Sequence, residues 1–220
     1  MSTTSTDSDL DRAIAAFRDG QPLLVHDAAD REGEVDLIYP ASAVTPDAVA
    51  RLRNDAGGLI CTALADEVAE TFDLPFLQDV LDHPATADHA LGYDERSSFS
   101  ITVNHRDTYT GVTDEDRART IRELAAAAAD PAGTDFAAEF RAPGHVHVLR
   151  AAPDLLADRE GHTELGLALA AAADVEPAVV VCEMLDDETG RALPTAAARA
   201  YAERNGFPYL EGSDVLARLS

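Results

Sequence analysis

The chain has 220 residues, 46% of them hydrophobic, which suits one domain with a full core and excludes a disordered chain. Its formal charge is −24, and all 17 basic residues are arginine. Such a field repels phosphate backbones and anionic membrane surfaces, which argues against general nucleic-acid binding and membrane attachment.

The absence of lysine fits a salt-rich cytoplasm, where screening tolerates the self-repulsion of an acidic fold. Cys61 and Cys182 form neither a ladder nor a CxxC pair, so neither a disulfide framework nor a zinc ribbon is expected. No apolar stretch follows Met1 as in a signal peptide, and no run approaches bilayer length; a soluble cytoplasmic protein is expected.

Residues 1–8, rich in Ser, Thr and Asp, read as a flexible terminus before a single domain over 9–220. Asp9 to Arg18 carries Leu10, Ile14 and Phe17 at helical spacing. Leu23 to His26 and Val35 to Tyr39 read as strands, joined by an acidic connection from Asp27 to Glu34. Within Asp30-Arg31-Glu32-Gly33-Glu34-Val35-Asp36, five of seven residues are charged. A plain hairpin would use Asn-Gly or Asp-Gly. Carboxylates crowded around one arginine repel each other and point to a cation or an acid–base task, with a solvated loop as the bland alternative.

Thr45-Pro46-Asp47 starts a helix that runs toward Asn54, and Gly57-Gly58 ends it before a buried strand, Leu59 to Ala63. Ala65 to Leu91 is weakly patterned. Its acids near His83 repeat no ligand spacing, so a plain loop is expected there. Phe99 to Val103 reads as a strand. Thr113 is a natural N-cap and Asp116 completes a capping box, an account that leaves Thr110-Gly111 unexplained.

Pro143-Gly144 reads as a turn with His145 directly after it and a strand to Leu149. A lone histidine there is more often a structural hydrogen-bonder than a catalyst. Arg159-Glu160-Gly161-His162-Thr163-Glu164 opens an apolar helix, Leu165 to Ala173. A glycine turn at a helix start, with an arginine alongside, offers a seat for phosphate or carboxylate, although such signals are common. Ala178 to Leu185 reads as a central strand. Glu183 inside it is costly to bury unless paired, metal-bound or protonated; the alternative is a solvent-facing strand end. Thr195 to Asn205, capped by Gly206, is the last long helix. Phe207 to Leu210 and Asp214 to Leu219 close the chain.

These pieces together resemble the 3,4-dihydroxy-2-butanone 4-phosphate synthases of riboflavin biosynthesis. The matching runs are Asp30-Arg31-Glu32, Glu34 and Asp36 to Pro40; Gly58 to Cys61; Thr110 to Thr113 with Asp116-Arg117; Arg141 with Pro143 to Val146; Arg159 with Gly161 to Glu164; and Cys182 to Met184. The resemblance implies an α+β fold, a mixed β-sheet packed between helices, and a homodimer with active sites at the subunit boundary. It also implies conversion of ribulose 5-phosphate to 3,4-dihydroxy-2-butanone 4-phosphate and formate with Mg2+ or Mn2+.

By position, the resemblance makes Glu32 and His162 metal ligands. It sets Arg31, Glu32, Asp36, Thr110, Arg159, Gly161, His162, Thr163 and Glu183 against the substrate, with Asp27 in the pocket wall. His145, Glu183, Asp36 and Cys61 become the groups that move protons. Loss of an internal carbon as formate needs enediol formation, dehydration, a skeletal shift and fragmentation, and each proton movement needs an acid or base within reach. A metal on a vicinal diol stabilises the developing oxyanions. Gly33 and Val35 depart from the Asn and Gly of many members, and the chain stops at Ser220 with no fused cyclohydrolase domain expected. The rival readings are a non-catalytic sugar-phosphate sensor and an RNA-modifying carbamoyl-transfer protein, the second disfavoured by the charge.

Overall fold

Side-chain alternation along the strands decides the architecture. The computed structural model describes residues 3–27, 31–86, 94 and 96–220, with side chains from residue 9 onward. The elements are α1 (Thr3–Arg18), β1 (Leu23–His26), β2 (Val35–Pro40), α2 (Pro46–Asn54), β3 (Cys61–Leu64), α3 (Asp66–Thr71), α4 (Leu77–Val80) and β4 (Phe99–His105). They continue with α5 (Asp114–Ala129), α6 (Phe136–Glu139), β5 (Phe140–Arg150), α7 (His162–Ala173), β6 (Ala178–Glu183), α8 (Thr195–Asn205), β7 (Tyr209–Glu211) and α9 (Gly212–Leu219).

Among the described residues the strands form one seven-stranded sheet in the order β4-β5-β3-β6-β2-β1-β7. The β1/β7 and β3/β5 pairs are parallel and the others antiparallel, so the sheet is mixed. Val35, Leu37 and Tyr39 of β2 pack with Val49 and Leu52 of α2 and Ile121 and Leu124 of α5. Ile38 points the other way and packs with Phe17 of α1 and Leu165 and Leu169 of α7. Strand β6 divides likewise, with Val180 and Cys182 on the first face and Val179 and Val181 on the second. The sheet therefore lies between two helical layers, the expected α+β arrangement.

The two-residue period also places the chemistry. Asp36 shares the side of Ile38, Glu183 that of Val181, and Cys61 that of Ala63, so all three belong to the α7 face. Register brings them abreast, with Asp36 opposite Glu183 and Cys61 opposite Val181. The two cysteines are free, and Cys182 belongs to the opposite face.

Local chemistry starts the helices as expected. Thr45 Oγ1 accepts from Ala48 N at 3.1 Å, and Thr113 Oγ1 from Asp116 N at 3.1 Å. The capping box of α5 is only half made. The Asp116 carboxylate accepts instead from Gly111 N (2.8 Å), Thr110 N (3.1 Å) and Tyr109 N (3.4 Å). It clasps the preceding loop, which accounts for Thr110-Gly111.

Several expectations change. Helix α1 starts at Thr3, ahead of the residues that bury it, because a helix anchored by Leu10, Ala13 and Phe17 extends at little cost. The stretch after Ala65 is not a plain loop but holds α3 and α4, too short for a readable period. Arg150 fastens it, donating to Asp66 (2.6 Å) and to the Leu74 carbonyl (2.9 Å). Residues 87–91 of that stretch, like Asp30 in the acidic connection, lie outside the described residues. Pro143-Gly144 does not end a segment, since β5 is continuous. Val103 pairs with Val146 and the next residue, Asn104, with Arg141, so residues 142–145 bulge from the ladder.

Candidate active site

Helix α7 anchors the site. Every residue from His162 to Ala170 is buried, and a helix without a polar stripe is one enclosed on all sides. Its N-cap is Gly161, whose backbone leaves the first-turn N–H groups without a capping side chain. This N-terminus meets the sheet where β6 ends and β2 and β3 begin.

His162 Nε2 lies 3.2 Å from the Val25 carbonyl, which fixes the ring and turns Nδ1 toward carboxylates. Nδ1 is 3.4 Å from Asp36 Oδ1 and 3.8 Å from Glu32 Oε2. The acidic connection is held in shape by Asp27, whose carboxylate accepts from Glu34 N (3.0 Å) and Glu32 N (3.4 Å). Arg31 reaches Asp94 at 3.3 Å. The same Asp94 oxygen receives Arg159 Nε at 2.5 Å, and Arg159 Nη1 donates to Glu164 at 2.7 Å. Glu164 Oε1 in turn accepts from Ala152 N at 3.0 Å.

Burial pushes the Asp36 carboxyl up to about 7, opposed by His162 and reinforced by Glu183, Glu32 and Glu34. For His162 burial opposes the charge, yet Asp36, Glu32 and Asp27 raise it to about 9. Facing His162 holds Glu32 low against its own desolvation. Glu183 is raised by desolvation and then by Glu32, Glu34 by desolvation and then by Glu183. Burial also pushes both thiols up, Cys182 to about 12. The histidine proton thus neutralises a carboxylate nest.

The nest fits a cation. Ligand atoms of Asp27, Glu32 and His162 lie within 4.8 Å of one another, as do those of Glu32, Glu34 and Glu183. Among the described residues, Asp36 Oδ1 is buried and finds no hydrogen-bond partner of good geometry. Hard oxygens with a single imidazole suit Mg2+ or Mn2+.

One cavity is lined by Glu32, Asp36, Cys61, Arg159, His162, Thr163 and Glu183. Glu183 is not enclosed in its strand; it is the exposed last residue of β6, at the cavity mouth. Arg31 and Gly161 stand beside that wall, since a Cβ on Gly161 would lie 2.8 Å from Arg31 Nη1. Cys61 lines the same cavity, with its thiol pushed up by burial.

His145 and Thr110 are not among the cavity's lining residues. They form a second cluster around Asn104, whose Oδ1 accepts from His145 N at 2.8 Å and whose side chain packs against Gly111. Gly111 has φ +81°, and a Cβ there would lie 2.1 Å from Asn104 Nδ2. His145 is exposed, and beside Thr110 the side chains of Tyr109 (96%) and Val112 stand in solvent. Sequence reasoning missed Asp94, Glu164 and the Ser97-Ser98-Phe99 wall. Glu164 was visible as part of the Gly161 to Glu164 run; Asp94 had no signal in so acidic a chain.

Residues 11–218 match the family model for 3,4-dihydroxy-2-butanone 4-phosphate synthase. A protein of that name from Archaeoglobus fulgidus is 48% identical, over 94% of this chain and 92% of its own. The crystal structure of the Candida albicans synthase is 31% identical with a TM-score of 0.79, covering 96% of this chain and 97% of that one. A synthase solved with two magnesium ions is 32% identical, with a TM-score of 0.76 and coverage of 94% on both sides.

Proposed function

Since the chain belongs to the 3,4-dihydroxy-2-butanone 4-phosphate synthase family, we propose that it converts ribulose 5-phosphate to 3,4-dihydroxy-2-butanone 4-phosphate and formate for riboflavin biosynthesis. The observation that carries this reading is the single cavity wall that joins Glu32, Asp36, His162 and Glu183 to Arg159. The two products together contain the atoms of the substrate, so the reaction consumes neither oxidant nor net water. A sugar-phosphate sensor would need the arginine but not the buried acids.

Glu32 and His162, with Asp27 beside them, would hold a divalent ion, and Glu32, Glu34 and Glu183 form a second group able to share one. Such an ion supplies positive charge to neighbouring oxygens of the sugar. Asp36, with its carboxyl near 7, can take a proton from carbon and return it at neutral pH. Glu183, raised and at the mouth, serves the later proton movements. Arg159 and Arg31, with the first-turn N–H groups at Gly161 to Thr163, take the phosphate. Cys61 contributes a neutral wall.

His145 and Thr110 enter through a second copy. In the proposed homodimer, the exposed His145 and Thr110 of one protomer, either side of its buried Asn104, cover the cavity of its partner, which would also bury Tyr109 and Val112. A saline cytoplasm would suit the lysine-free charge of −24.

The test is formate release from ribulose 5-phosphate in molar potassium chloride, with magnesium added or chelated and with Glu183→Gln and Glu32→Gln alongside. Metal-dependent formate, lost in both variants, supports the assignment. No formate from folded protein overturns it.

A further inference from the structure

We infer that Asp94 is an internal anion that occupies the phosphate seat of the empty enzyme and is displaced by the substrate's phosphate. This rests on the proposed reaction for the identity of the ligand, but on geometry for the seat. One Asp94 oxygen receives Arg31 Nη2 at 3.3 Å and Arg159 Nε at 2.5 Å. A single oxygen bridging two guanidinium groups is the arrangement that a phosphate oxygen also seeks.

The two acids on Arg159 differ in kind. Glu164 is fully buried and fastened to backbone through Ala152 N, so it is a permanent partner that aims the guanidinium. Asp94 belongs to no helix or strand and is 12% exposed, in a second hollow that shares Arg159 and Ser98 with the main cavity. A phosphate dianion and the Asp94 carboxylate on the same donors would repel each other, so one must leave. With the seat empty, the carboxylate keeps two like charges together; with the seat filled, it becomes a competitor. Asp94 therefore sets phosphate affinity and helps release product.

The experiment is calorimetric titration of inorganic phosphate into the full-length protein at one fixed potassium chloride concentration. Wild type is compared with Asp94→Asn, Asp94→Ser, Glu164→Gln and Arg159→Ala. Asp94→Asn keeps the shape and removes the charge, so phosphate should bind about tenfold more tightly. The KM for ribulose 5-phosphate should fall with it, and kcat should fall as product leaves more slowly. Glu164→Gln and Arg159→Ala should bind phosphate more weakly.

Unchanged or weaker phosphate binding in both Asp94 variants overturns the inference, because a carboxylate that only positions the arginines would act in that direction. Unchanged binding in Arg159→Ala overturns it too, by removing the seat. Phosphate binding is read without turnover, so a gain of affinity in a protein that makes no formate would sink the reaction and leave the seat standing.

Discussion

Adding one methyl group at Gly161 tests whether the two arginines are held where the site needs them. The backbone there (φ −85°, ψ 168°) accepts alanine without strain, so the change is confined to the new carbon. That Cβ would sit 2.3 Å from Arg159 Nη1 and 2.8 Å from Arg31 Nη1. Ordinary contact requires about 3.5 Å, so the Arg159 group must retreat by about 1 Å. Its 2.7 Å bond to Glu164 would then stretch beyond hydrogen-bonding range.

Misplacement of a positioning group by about 1 Å costs up to about 100-fold in rate. We expect kcat/KM for ribulose 5-phosphate to fall by about 10- to 100-fold in Gly161→Ala, mostly through KM. The stability cost is that of a poorer N-cap, about 1 kcal/mol. The assay is steady-state formate release with a urea unfolding curve on the same sample. A kcat/KM within about twofold of wild type would refute the reasoning, since the methyl group would have displaced nothing that touches phosphate.

Four further outcomes are expected. With His162 in the proposed ligand set, metal would replace its proton, whose pKa is raised from 6.5 to about 9, so Mn2+ affinity should climb by up to about tenfold per pH unit across that window. In metal-free protein the same proton stabilises the fold fully below 6.5, and this contribution is lost as pH rises through 9, so Tm should fall there; a flat affinity profile by calorimetry would remove His162 from the ligands. In Gly144→Ala a Cβ would lie 2.0 Å from the Val103 carbonyl carbon, backbone that cannot step aside, so urea unfolding should show a loss of about 3 kcal/mol, and a loss under about 1 would show that the bulge yields. Co-refolding equal amounts of inactive Glu183→Gln and His145→Ala chains should restore about a quarter of wild-type formate release, because half the dimers are mixed and each has one intact site. No restoration would mean that one chain supplies both groups.

Much of the site was legible because its residues sit on regular elements. Once Val35 to Tyr39 and Ala178 to Glu183 read as strands, alternation alone sends Asp36 and Glu183 to one face. The glycine before an apolar helix likewise announces an open N-terminus. Asp94 was not legible, since one aspartate among 41 acidic residues carries no local mark, and its meaning comes from two arginines distant in sequence. Pro143-Gly144 misled for the opposite reason: the dipeptide is a strong local turn signal, but pairing with β4 on both sides absorbs it as a bulge. Helices α3 and α4 fell below the length at which periodicity speaks. His145 and Thr110 lie outside the cavity of the single chain, a separation that the order of the motifs in sequence does not display.

The enclosure of α7 also fixes how the site comes apart. Its amides from Leu165 to Ala170 lie behind the open first turn and are bonded within the buried helix, so their hydrogen exchange should require the opening of the whole domain. The described ends of the acidic connection are held by the Asp27 carboxylate and one backbone bond between Asp27 and Glu34, and should exchange through local openings. The helix that carries the proposed phosphate seat is thus as durable as the fold itself, and the acidic connection can breathe beside it.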